Sequence, residues 1–380
     1  MIAMNSVLVI VLSVLIVLAA GASMVAMPWL EPRDQCFAVT IPPAASKDPA
    51  LEAERRAYAI KVALLAAACG AVVGAACAVD KTGHAAVATL LATTVALVSV
   101  PFALMLAARR NVRALKAKRG WHAERQVRVA ALVETDLPRP LPLALELLHL
   151  PIALLALGPG LALLPNMPER IPIHFDAMGN ADNWVSRGPA AVAMPVIIIA
   201  FMAVVMSVCH LAIIRSKRAS DPGVPAVTAY SYAAYTREQS LVCVMIGLAV
   251  NLAIALLPLQ FAGIIPIEAW IAIMLAIAAL AVGWSLRIAF TYGQNGSRAA
   301  ARLLKDASNR AGADSAMSAD DDAHWRLGIF YANADDPAVI VPKRFGIGWT
   351  LNWARPASWG IVAGFVLLTA LFIVAIITLT

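Results

Sequence analysis

Residues 141–213 read LPLALELLHLPIALLALGPGLALL (141–164), PNMPERIPIHFDAMGNADNWVSRG (165–188) and PAAVAMPVIIIAFMAVVMSVCHLAI (189–213). The outer pieces are apolar over the roughly 20 residues that a helix needs to cross a bilayer. Hydrocarbon offers no partner to free backbone N–H and C=O groups, so such a run must be helical. The middle piece packs Pro, His, Asp, Gly, Asn and Trp into one short loop. Turn chemistry alone would join two helices. This loop adds His174, three acids (Glu169, Asp176, Asp182) and the aromatic Trp184. The alternation of long apolar run, structured loop and long apolar run sets the fold class.

Apolar runs of similar length recur along the chain. Eight candidate spans fall at about 6–27, 58–79, 83–107, 141–164, 189–213, 240–260, 264–287 and 357–379. Hydrophobic residues make up 61% of the chain and charged residues 14%, a balance foreign to soluble domains. The expected fold is an all-α polytopic membrane protein with about eight transmembrane helices. No Lys or Arg precedes the first run, so it lacks a signal-peptide n-region and is expected to be a retained helix. The 108–128 loop carries Arg109, Arg110, Arg113, Lys116, Lys118, Arg119, Arg125 and Arg128 against Glu124 alone. By the positive-inside rule it is expected to be cytoplasmic, with 28–57, 214–239 and 288–356 on the same side. The 165–188 loop, the 261–263 link and both termini then face outward. The net charge of +7 is mainly a topology signal. Basic residues that border membrane spans do not indicate nucleic-acid binding. The first partner implied is the lipid bilayer.

The inward loops contain β-type runs at 36–41, 126–134, 327–332, 338–342 and 347–353. None is long enough to stand alone, so they are expected to gather as a small β-containing cytoplasmic cap. Phe330, Tyr331, Val339, Ile340 and Trp349 are its apolar inventory. Separate loops lying on the headgroups are the alternative. Asp48-Pro49 marks a helix start, and AGADSAMSADDD (311–322) reads as a linker. The chain divides into a three-helix region (1–140), a membrane core (141–290), a cytoplasmic segment (291–356) and a last span (357–380). The five cysteines form no Cys-x-x-Cys pair and give no disulfide framework or zinc signature.

Three constellations carry candidate chemistry. In the outer loop, Pro172, His174, Phe175, Asp176, Gly179, Asp182 and Trp184 are ligand-recognition candidates. The bland reading is a rigid turn, with Gly179-Asn180 as the turn dipeptide and Asp182 and Asn183 capping the next helix. His174 and Asp176 at i, i+2 make a poor metal site, and no metal is called. Within 141–164, Glu146 and His149 lie three apart on one helix face. Intramembrane ionisable groups face the bundle interior and either move protons or ions or tie helices together. His210 and Asn251 in other spans are candidate partners. In the C-terminal segment, Lys343 and Arg344 beside Gly346 and Gly348 are candidates for an anion or lipid headgroup, against a plain β-turn at the interface. No catalytic residues and no cofactor are indicated, because HExxH, GxSxG and P-loop patterns are lacking.

The segment Leu164–Trp184 resembles the extracytoplasmic signature of the family called domain of unknown function 1648, which includes the SdpI-type immunity proteins. Trp325–Trp359 (WRLGIFYANADDPAVIVPKRFGIGWTLNWARPASW) resembles domain of unknown function 5808. GQNGSRAA at 293–300 and FAVTIPPAASKDPALEAERRAY at 37–58 resemble loops of the same longer subgroup. SdpI-type proteins protect bacteria from secreted toxic peptides and relay signals. The resemblance therefore implies immunity or signal transduction, with an extracytoplasmic peptide or small ligand outside and a cytoplasmic protein partner inside. The alternative is a small-solute or proton-coupled transporter using Glu146 and His149. Oligomeric state is left open.

Overall fold

The computed structural model describes residues 2–80, 84–123, 137–175, 181–218, 224–306, 317 and 320–379. Ten α-helices are present among them: α1 Ile2–Ala26, α2 Pro49–Val79, α3 His84–Arg119, α4 His149–Leu163, α5 Pro189–Arg215, α6 Pro225–Ala255, α7 Leu257–Phe261, α8 Ile267–Tyr292, α9 Ser297–Asp306 and α10 Pro356–Leu379. Seven stretches, built on α2, α3, α4, α5, α6–α7, α8–α9 and α10, are long and apolar enough to cross a membrane. α1 adds a further apolar helix of 25 residues. The protein is a multi-pass membrane protein.

Helices α1, α2 and α3 pack on one another, and α4, α5 and α6 form a second group with α8 against α6 and α10 against α5. Small residues permit the first set of contacts. A Cβ at Gly21 would clash with the Ala66 Cβ, so α1 and α2 approach closely there. α2 and α3 have 31 and 36 residues, or about 46 and 54 Å at 1.5 Å per residue. Both exceed a hydrocarbon core of about 30 Å. Their polar turns therefore project from the bilayer at one end. Asp48 caps α2 by accepting from Ala50 N at 2.8 Å.

The projecting ends meet a cap made of three two-stranded antiparallel hairpins. These are β1 (Gln35–Cys36) with β2 (Val39–Thr40), β5 (Trp325–Arg326) with β6 (Phe330–Tyr331), and β7 (Ile340–Pro342) with β8 (Trp349–Leu351). A fourth hairpin, β3 (Arg170–Phe175) with β4 (Ala181–Ser186), stands at the opposite end between α4 and α5. The runs at 36–41 and 327–353 do pack together: Phe37 stacks on Phe345 at 6.0 Å, and Arg344 donates to the Ala38 carbonyl at 3.2 Å. The 126–134 run lies outside the described residues.

Four expectations need correction. The 36–41 run is a tight hairpin rather than one strand. Phe37 and Ala38 both take left-handed backbone (φ 47° and 58°), because the Glu31 carboxylate accepts both of their N–H groups, at 2.9 and 3.0 Å. In the apolar inventory, Tyr331 is buried with Trp325 and Val341, whereas Phe330 is 42% exposed. Successive strand residues face opposite sides, so Phe330 and Tyr331 cannot both point inward. The end of the 311–322 linker is anchored, since Asp320 and Asp322 both pair with Lys116 at 2.7 Å. The 141–164 span is a continuous α-helix only from His149, and Leu143–Leu148 is a 3-10 turn. Pro151 has no N–H to give to the Leu147 carbonyl, so the α pattern cannot extend back through that position.

Candidate functional site

The β3–β4 hairpin pairs Ile171 with Val185 and Pro172 with Trp184, with a register shift beside His174. A two-stranded ribbon has only edge strands, which is where proline is tolerated. Alternation sends Ile171 and Val185 down onto Met167, Ala191, Met194 and Phe261. This apolar seat joins the hairpin to α5, α7 and the far end of α10 through Ile376. The polar groups point the other way. His174 Nδ1 lies 2.5 Å from Asp182 Oδ1, and both side chains are largely exposed. Arg170 covers the Trp184 ring at 5.4 Å. Phe175 ends β3 opposite Ala181, and Asp176 and Gly179 lie outside the described residues. Asp182 and Asn183 do not cap the next helix. They belong to β4, and Gly188 occupies the N-cap position of α5 without a side-chain bond. Strand pairing holds them extended, and Pro189 removes one N–H that a cap would satisfy. Arg187 escaped the sequence reading. It donates to the carbonyls of Pro165 and Met167 at 3.2 and 3.1 Å and clamps the two sides of the hairpin base. A lone arginine immediately before Gly188-Pro189 was the available signal.

In the helix bundle, Glu146 and His149 are buried and in contact, His149 Nε2 lying 3.1 Å from Glu146 Oε2. The structure adds both candidate partners. His210 Nδ1 of α5 is 2.8 Å from Glu146 Oε1, and Asn251 Nδ2 of α6 is 2.7 Å from His149 Nδ1. Three helices are thus tied by four side chains.

At the cap, Arg344 is buried and surrounded by anions and carbonyls. It donates to Asp321, Asp322 and the Ala38 carbonyl, and it lies over the Trp325 ring. Its anion partners are therefore the protein's own aspartates. Gly346 and Gly348 have φ of 88° and 104°, a backbone region open to glycine. Lys343 N bonds the Gly348 carbonyl across that bend, and the Lys343 carbonyl accepts from Gln294. Arg109 of α3 also donates to the Ala38 carbonyl, and to that of Trp325 at 3.3 Å. It was hidden among eight basic residues read for topology. Asn352 is fully buried and donates to the carbonyls of Asn333, Asp336 and Ala338. Lys217, just past α5, pairs with Asp336 at 2.6 Å while its N–H bonds the Ile340 carbonyl at 2.9 Å. Burial works against the Asp336 carboxylate. The Lys217 ammonium, the Ala338 N–H and the Tyr331 hydroxyl nonetheless hold its pKa below the ordinary value. Burial pushes Glu31, beneath the left-handed turn, up to about 7 despite two backbone N–H donors and nearby Arg55 and Arg109.

Comparison with known families gives two matches. Residues 152–199 match the domain of unknown function DUF1648, and residues 334–359 match the family of unknown function DUF5808. The first covers most of α4, the hairpin and the start of α5, and the second the β7–β8 hairpin and the entry to α10. The chain matches no curated protein and no solved structure.

Proposed function

We propose that this protein is a bacterial inner-membrane immunity or signalling protein of the SdpI kind. In this reading the β3–β4 hairpin meets an extracytoplasmic peptide or small ligand, and the cap delivers the consequence on the cytoplasmic side. The supporting observation is α5, one helix of 27 residues packed against the hairpin at its start and bonded to the cap just beyond its end. At its start, Ala191 and Met194 form part of the hairpin's apolar seat. Beyond its end, Ser216 bonds the Tyr232 hydroxyl at 2.6 Å and Lys217 holds Asp336 and Ile340 of the cap. Pro195 lies inside α5 next to the seat, and a shift that passes this turn is carried along the rest of one packed helix to the cap. The basic residues of α3 support a cytoplasmic cap, since Arg109 and Lys116 sit within it.

The test is survival of a susceptible bacterium challenged with secreted membrane-active peptides. Expression should protect it. Lys217→Ala should abolish protection while leaving peptide binding intact. Protection that persists after residues 170–186 are replaced by a Gly/Ser linker would sink the reading. Proton-coupled transport is the second reading, favoured by the buried polar groups shared by α4, α5 and α6. It requires proton flux into sealed vesicles, whereas sensing requires none.

A further inference from the structure

Glu146, His149, His210 and Asn251 are each no more than 6% exposed. Their hydrogen bonds form a line from the Leu141 carbonyl through His210, Glu146, His149 and Asn251 to the Ile199 carbonyl. Along α5 the line runs from His210 back to Ile199, about 16 Å at 1.5 Å per residue. That is roughly half of a 30 Å hydrocarbon core. The protons on this line can be counted. A carbonyl only accepts, so His210 Nε2, 3.0 Å from Leu141 O, carries hydrogen. The Ile199 carbonyl, 3.2 Å from Asn251 Nδ2, fixes the amide orientation. The same NH2 group faces His149 Nδ1, which must therefore accept. His149 is neutral and gives its Nε2 proton to Glu146 Oε2. One contact remains, from Glu146 Oε1 to His210 Nδ1 at 2.8 Å. It needs one more proton, on either the carboxyl or the imidazole.

We infer that these four residues form a proton-binding site within the membrane, holding a single exchangeable proton shared by Glu146 and His210. Loading takes one proton from water and converts carboxylate plus neutral imidazole into a carboxylate–imidazolium or carboxylic acid–imidazole pair. Unloading returns that proton. Without it, two lone pairs face each other at Oε1 and Nδ1. A tautomer shift repairs this contact only by stripping the Leu141 carbonyl of its donor. Either way α5 loses one of its two hydrogen bonds to the 141–146 segment, so occupancy sets how α5 is held. A second observation marks the deep end of the line: Asn251 Oδ1 is a buried acceptor with no partner among the described residues. The groups facing Glu146 come from three helices: His149 from α4, His210 from α5 and Asn251 from α6 by way of His149. The thiols of Cys209 and Cys243 also lie within its electrostatic reach. The site stands independently of what the hairpin meets.

Glu146→Gln isolates the proton. A glutamine can donate to His210 Nδ1 and accept from His149 Nε2, keeping every hydrogen bond while carrying no titratable proton. The full-length protein in lipid nanodiscs, with 15N-labelled histidine, is titrated by solid-state NMR across about pH 4 to 10, where carboxyl and imidazole groups ionise. The His210 signal is identified by its loss in His210→Gln. In the wild type the state of His210 Nδ1 should change with pH. In Glu146→Gln that transition should vanish or move down by at least about one pH unit, the shift expected when an opposite charge is removed. Should His210→Gln fail to fold, the infrared carboxyl and carboxylate bands that differ between the wild type and Glu146→Gln report the same proton, set apart from the other acids, Glu31 among them. A wild-type site silent in both measurements overturns the proposal. So does an unshifted transition in Glu146→Gln, or a response to sodium at fixed pH in place of the response to protons.

Discussion

The two ends of the molecule handle charge in opposite ways. The hairpin end seats apolar side chains inward (Met167, Ile171, Val185, Phe261) and keeps the His174–Asp182 pair in the open. The cap end buries its charges: Glu31, Arg109 and Arg344 are all under 9% exposed and bonded to backbone or to each other's partners. An apolar seat tolerates small shifts, because hydrophobic burial has no direction. A buried charge network does not, because each unmet group carries a large desolvation cost. The hairpin's outer face is therefore free of the constraints of the core, and the cap holds one arrangement, as the proposed sensing role requires.

The largest expected effect is at the cap. Arg344→Ala leaves Asp321, Asp322 and the Ala38 carbonyl without their central donor. Removing one member of a buried ion pair costs about 3–5 kcal/mol. Thermal unfolding in detergent should shift accordingly, and proteolysis should open 320–353 first. Hydrogen exchange at 170–186 should stay at its wild-type rate. If the hairpin loosens equally, the two ends are one cooperative unit and the contrast between them fails.

The Glu31 carboxyl gives the next effect. Its folded-state pKa is raised to about 7 from 4.5, chiefly by burial, so the folded form holds the proton more tightly than the unfolded chain. Stability should therefore fall as pH rises from about 4.5 to 7 and level off above, by an amount on the order of 3 kcal/mol. Glu31→Gln should flatten this part of the stability–pH curve. An unchanged slope would mean that Glu31 is not the group that takes up the proton in this window.

Much of this architecture was legible. Apolar runs of bilayer length report their own helices, and Glu146 and His149 fall on one face by spacing alone. The cap was legible only as a gathering of short β-type runs. Its bonds join residues as far apart as Thr40 and Asp322, 282 positions away, and no local pattern encodes such a pairing. Arg109 looked like one topology charge among eight until its depth was known. Phe37 and Ala38 sit inside a β-type run, 36–41, and the Glu31 carboxylate holds them left-handed. At the hairpin, Asp182 and Asn183 carry cap chemistry that strand pairing overrides.

Lys217→Ala should have an intermediate effect, about 1–2 kcal/mol for a charged hydrogen bond at a half-exposed side chain. Asp336 has a lowered folded-state pKa, so its contribution is present at neutral pH and is lost as pH falls below the ordinary carboxylate value of 3.8. Cross-linking between positions near 217 and 340 should weaken in the variant and, in the wild type, in that acid window. A cross-link that survives both would show that the backbone bond to Ile340 alone holds α5 to the cap.

The smallest effect on stability is expected at the residue proposed to matter most for recognition. His174 is 66% exposed at its side chain and, among the described residues, pairs with Asp182, itself 48% exposed. Surface ion pairs of this sort contribute about 0.2–1 kcal/mol, so His174→Ala should unfold within a few degrees of the wild type. Nothing in the seat changes, because Ile171 and Val185 carry it. Loss of peptide protection with preserved stability places His174 in the recognition surface. Joint loss of stability and protection makes it a strut of the hairpin, and full protection removes it from the contact. The same substitution thus separates the two ends: Glu31, Arg109 and Arg344 are all buried, so a change at any of them alters the stability of the cap along with whatever it does to function.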